Sequence, residues 1–134
     1  MNITLEQAHK VFHAALEKAK EMEVMQNIAI VDSGANLVFF GSMDEAWIGS
    51  IDIAIRKAKT ARYFDMDTQA LGKMAQPGEP LYGIEASNGG LIVFGGGIPL
   101  KAGGKVIGAI GVSGGTVEED IEVAEAGVEA LNNA

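Results

Sequence analysis

The sequence predicts a single α+β domain over residues 1–134, a five-stranded antiparallel sheet with flanking helices in the order α-β-β-α-α-β-β-β-α. Three observations predict it. Short apolar strand segments are separated by loops of hairpin length, which makes neighbouring strands antiparallel and excludes the strand-helix alternation of a doubly wound parallel sheet. Apolar residues recur at helical spacing near both ends and in the middle of the chain. The 134 residues, 48% of them hydrophobic, can build one core but are too few for two.

Each element has its own signal. Thr4 followed by Gln7 is a capping-box pattern, and Leu5, Ala8, Phe12, Ala15, Leu16, Ala19 and Met22 keep helical spacing, so the first helix is amphipathic. Residues 27–32 and 36–40 flank the short loop Ser33-Gly34-Ala35 and read as a hairpin. From about Trp47 to Phe64, Ile51, Ala54, Ile55, Ala58 and Ala61 form an apolar stripe, with Asp52, Arg56, Lys57 and Arg62 expected largely outside it. A short third helix capped by Thr68 is stopped by Gln76-Pro77-Gly78-Glu79-Pro80. Residues 91–94, 98–101 and 105–110 read as three further strands, with Pro99 suited to a strand start, a bulge or an edge. Thr116 and Glu119 form a second capping box and open the last helix.

A net charge of −8 disfavours nucleic acid and anionic membrane surfaces, whose binding needs clustered Lys and Arg. No stretch approaches the ~20 apolar residues of a membrane span, and the amino terminus lacks the pattern of a secretory signal. Cysteine is absent, which removes disulfides, thiolate metal sites and thiol nucleophiles and fits a cytoplasmic setting.

The glycine-rich segments 94–97 and 108–115 resemble phosphate-binding loops but do not supply G-x-G-x-x-G between a strand and a helix. A phosphate would also meet Glu118, Glu119 and Asp120 in the first turn of the last helix. At Gly103-Gly104-Lys105 the P-loop pattern fails twice, at Pro99 and Val106. Gly95, Gly96 and Gly97 therefore serve close backbone packing or line a flat ligand. His9 and His13, the two histidines of the chain, lie one helical turn apart with Glu17 a turn further on. They are candidate metal or haem-iron ligands, although no third histidine completes a protein metal site. Arg56, Lys57, Lys59 and Arg62 concentrate positive charge on the second long helix, either as a solvated face or as a holder of carboxylate or propionate groups. No nucleophile and base pair stands out.

Residues 30–38, 50–54, 57–61, 95–100 and 108–114 together resemble the GlcG/HbpS-like family over nearly the whole chain. Residues 77–84 and 111–120 further resemble the carboxy-terminal domain of PduO-type proteins and their stand-alone relatives beside glycerol and propanediol genes. The resemblance implies a profilin-like sheet, assembly into homo-oligomers, haem binding in some members and no established catalysis. The adenosyltransferase activity of PduO-type proteins belongs to a separate amino-terminal domain. Two main function classes follow. One is a binding or sensing module for a planar tetrapyrrole, haem before a corrinoid, at a subunit interface. It would use His13 or His9 as iron ligand, Lys59 or Arg62 near the carboxylates and the three glycines as lining. The other is a structural or accessory homo-oligomer without a cofactor. A third class, an enzyme on a small oxygenated metabolite, would draw on Ser113, Asn88 and Tyr82.

Overall fold

A computed structural model describes residues 1–133. The elements are α1 (Leu5–Met22), β1 (Asn27–Asp32), β2 (Leu37–Ser42), α2 (Gly49–Phe64), α3 (Thr68–Met74), a 3-10 turn (Ile84–Ala86), β3 (Gly97–Ala102), β4 (Lys105–Ser113) and α4 (Val117–Asn132). Both expected capping boxes form. The Gln7 N–H donates to Thr4 Oγ1 at 3.0 Å and the Glu119 N–H to Thr116 Oγ1 at 3.2 Å, and each glutamine or glutamate side chain accepts from its cap's N–H. In the β1–β2 hairpin the Asp32 carboxylate accepts from the Gly34 and Asn36 N–H groups, each at 2.9 Å.

The sheet is antiparallel with strand order β2-β1-β4-β3. It has four strands where the sequence suggested five. Leu91–Phe94 carries apolar side chains at strand length, but helices occupy its backbone. The Leu91 N–H donates to Glu85 O at 2.9 Å and the Ile92 N–H to Thr60 Oγ1 at 3.2 Å. The Val93 carbonyl presses onto Gly72 of α3, so closely that any Cβ there would overlap it. With two of its N–H groups spent in this way and Val93 pressed against α3, the segment does not join the sheet. Pro99 sits on the outer strand β3, where the missing N–H removes no ladder bond. Thr68 does not cap α3; it is buried, and its hydroxyl accepts from the Gly97 N–H at 2.9 Å.

The two faces of the sheet carry different cores, as the period of two requires. Ile28, Ile30, Ile110 and Val112 point to one side and pack with Val11, Ala15, Ala19, Val123 and Ala124 of α1 and α4. Ala29, Val31 and Ala109 point to the other and meet Ala54, Ala58 and Ala61 of α2. Small residues on both partners let α2 lie almost on the sheet. At Gly111 the approach is closest, for a Cβ would run into the Ala54 carbonyl and the Ala58 amide. Among the described residues no helix is long and apolar enough to cross a membrane.

This contact predicts a sharp contrast between two glycines. Gly111→Ala should destabilise the fold by about 3 kcal/mol, since backbone on both sides must shift. Gly49→Ala, where a Cβ meets nothing within 4 Å, should be neutral or stabilise by about 0.5 kcal/mol. Urea unfolding of the two variants checks the difference.

Candidate functional site

A buried ion pair lies inside the molecule. Lys57 lies on the buried face of α2 with 0% of its surface exposed. Its Nζ donates to the Val112 carbonyl at 2.8 Å and to Asp120 Oδ2 at 3.0 Å, and it stands 4.9 Å from the centre of the Phe94 ring. Asp120 Oδ1 accepts from the Gly115 N–H at 2.9 Å, so both carboxylate oxygens are engaged. Burial pushes the Lys57 ammonium below its ordinary pKa, and the charge and hydrogen bond of Asp120 oppose that shift.

The triple glycine passes beside this lysine, with Gly96 against the ammonium. A Cβ on Gly96, whose φ is +129°, would sit 2.6 Å from Lys57 Nζ, and one on Gly97 would strike the Lys57 carbonyl. A Cβ on Gly95 would meet Ile121 of α4 at 2.5 Å. Gly95, Gly96 and Gly97 are all buried, and this chain's own atoms fill the space beside them. They form a close crossing of chain over lysine. Lys57 thus belongs inside the apolar stripe and not on the solvated side where the sequence reading put it. Asp120, read there as one of three carboxylates facing the helix end, is likewise buried. The spacing carried a signal for both. Lys57 falls three residues after Ala54 and four before Ala61, and Asp120 precedes Val123, Ala124 and Gly127 on the inner face of α4.

The remaining candidates lie apart. His9 and His13 are exposed on α1 with ring centroids 6.4 Å apart and planes within 13°. The edge of His9 meets Phe39 of β2 at 5.4 Å, and Phe39 packs on Phe12 at 4.8 Å. Neither imidazole makes a hydrogen bond among the described residues. Lys59 and Arg62 are on α2, across the sheet from α1, so one chain does not bring them to the histidines. Arg62 is committed to its own fold, donating from Nε to Ser33 O at 2.7 Å and from Nη1 to Asp65 Oδ1 at 2.6 Å. Lys59 borders a surface hollow with Asn88. Ser113 is buried at the end of β4 opposite Asn27, and Tyr82 is exposed in the loop after α3, so the three residues of the enzyme reading do not form one cluster. Among the described residues no group of three or more His, Cys, Asp or Glu side chains is suited to hold a metal ion.

Residues 3–129 match the family described as haem degrading protein HbpS-like. The chain belongs to the HbpS-like family. A relative, described as an uncharacterized 15.0 kDa protein in the dhaT-dhaS intergenic region of Citrobacter freundii, is 41% identical over 97% of this chain and 92% of its own length. The corrinoid adenosyltransferase PduO of the same organism is 35% identical over 98% of this chain, which spans 40% of that longer protein. Among solved structures, a PduOC:heme complex superposes with a TM-score of 0.94 at 34% identity, covering 98% of this chain and 96% of the other. This HbpS-like domain therefore shares its family and architecture with a protein crystallised with haem.

The buried pair should respond asymmetrically to mutation. Asp120→Ala leaves the ammonium without its anion and should cost about 3–5 kcal/mol. The double change Lys57→Met with Asp120→Leu removes both charges and should recover most of that loss. Equilibrium urea unfolding of the two variants measures the contrast.

Proposed function

We propose that this chain is a haem-type tetrapyrrole binding protein whose iron ligand comes from the exposed flank of α1. The observation that carries the reading is the imidazole column of His9 and His13 beside Phe39 and Phe12. An axial ligand needs an imidazole nitrogen free of internal bonds, and a flat macrocycle needs aromatic or aliphatic surface next to it. Both requirements meet on this flank. The two rings project from the same side of one helix, so they approach an iron from one direction and one of them serves as ligand at a time. Lys10, exposed and making no ion pair among the described residues, lies three residues before His13 and supplies a cation suited to a propionate. Lys59 and Arg62 of the same chain have no part in this site. The haem complex of the 34% identical PduOC supports the ligand class, and the PduO and dhaT-dhaS relatives support a setting in propanediol or glycerol metabolism.

A second reading, an accessory homo-oligomer without cofactor, draws on a different observation. Trp47 and Ile48, adjacent residues before α2, are 70% and 85% exposed. Large apolar side chains at that exposure are suited to a contact between copies.

Haemin titration of the protein, followed between about 380 and 450 nm, separates the readings. Wild type should show a saturable Soret shift that His13→Ala or His9→Ala displaces or abolishes. A saturable shift that neither variant alters removes the α1 assignment, and no saturable shift in wild type leaves the accessory reading.

A further inference from the structure

On the face of the sheet away from the histidines, α2 and the turn Ser87–Gly90 enclose a hollow of about 270 Å³. Arg56 holds the turn in place. Its Nη1 donates to the carbonyls of Gly89 at 2.5 Å and Gly90 at 3.1 Å, while its Nε donates to Asp52 Oδ2 at 2.8 Å. Asn88, Gly89 and Gly90 all have positive φ, which turns those carbonyls onto the guanidinium. Three kinds of donor are then unspent. Arg56 Nη2, Lys59 Nζ and the Tyr63 hydroxyl make no hydrogen bond or ion pair among the described residues, yet all three residues line the hollow. Asp52 offsets one of its two cations, which leaves a single net positive charge in a chain whose total is −8. Ile55 and the Tyr63 ring add apolar wall.

We infer that this hollow binds a small monocarboxylate, with Lys59 and Arg56 Nη2 holding the carboxylate and Ile55 and Tyr63 contacting a short carbon chain. The charge selects one negative group. The volume lies below the roughly 300–1,000 Å³ of sites that enclose drug-sized ligands, so the occupant is a metabolite of a few carbons and not a macrocycle. A haem propionate offers the same chemistry, and the test distinguishes it from a free carboxylate.

The test titrates ¹⁵N-labelled protein with sodium propionate at constant ionic strength, with propionamide as the uncharged isostere. The expected result is saturable amide shifts centred on Lys59 and Asn88–Gly90 that propionamide does not reproduce. Lys59→Met should weaken binding at least tenfold, and Lys59→Arg should restore it. Absence of saturable shifts, equal shifts with propionamide, or unchanged affinity in Lys59→Met overturns the inference. Haemin affinity should be the same in Lys59→Met as in wild type. If it falls in parallel with propionate affinity, the hollow belongs to the tetrapyrrole and the separate site is overturned. The inference does not rest on the α1 reading, so a failed haemin titration leaves it standing.

Discussion

A lysine ammonium enclosed by protein on every side constrains everything packed around it. Removing such a charge from water costs several kcal/mol, and the cost is tolerable only when the donors find partners of good geometry. Lys57 finds them on three different elements: the Val112 carbonyl at the end of β4, the Asp120 carboxylate in the first turn of α4, and the Phe94 face at the entry to β3. Each partner must arrive from a distant part of the sequence. Lys57 and Asp120 are 63 positions apart, and the chain between them therefore has to fold correctly before the charge is satisfied. The absent side chain at Gly96 is part of the same solution, because it lets the Gly96 carbonyl accept from the Val112 N–H at 2.9 Å directly above the ammonium.

The lysine also sets where a ligand can go. It draws the triple glycine inward, so that segment closes the interior and is not the floor of an open groove. The two arrangements suited to a ligand lie on outer surfaces. One carries the imidazole column and the phenylalanines of α1 and β2; the other carries the cationic hollow between α2 and the Ser87–Gly90 turn. The sheet separates them, and the alanine-rich contact of α2 with β1 and β4 makes that separation thin and rigid.

Local signals in the sequence were strong wherever structure depends on neighbours in the chain. Thr4 with Gln7 and Thr116 with Glu119 placed two helix starts, because a capping box is complete within four residues. The hairpin at Ser33–Ala35 was legible for the same reason, and of the strand start, bulge or edge open to Pro99 the structure shows the edge strand. The errors have a common cause in long-range partners. Leu91–Phe94 has strand composition, but its hydrogen bonds go to Glu85 and Thr60, which no local window reveals. Thr68 resembles a cap and instead receives the Gly97 N–H. Lys57 has the charge of a surface residue at a position whose periodicity is buried. The candidate site was legible in part. The spacing of His9 and His13 put both rings on one helix flank, whereas their separation from Lys59 and Arg62 depends on which helix covers which face.

Native-state hydrogen exchange at the Val112 and Gly97 amides tests most directly whether the Lys57 crossing is the keystone of the fold. Both amides are buried, and their acceptors, Gly96 O and Thr68 Oγ1, belong to the segments that close over the lysine. The account predicts that they exchange only through global unfolding, with the same opening free energy as the Ile28 and Ile30 amides of the central strand β1. Exchange of Val112 and Gly97 by a local opening, while β1 stays protected, would contradict it.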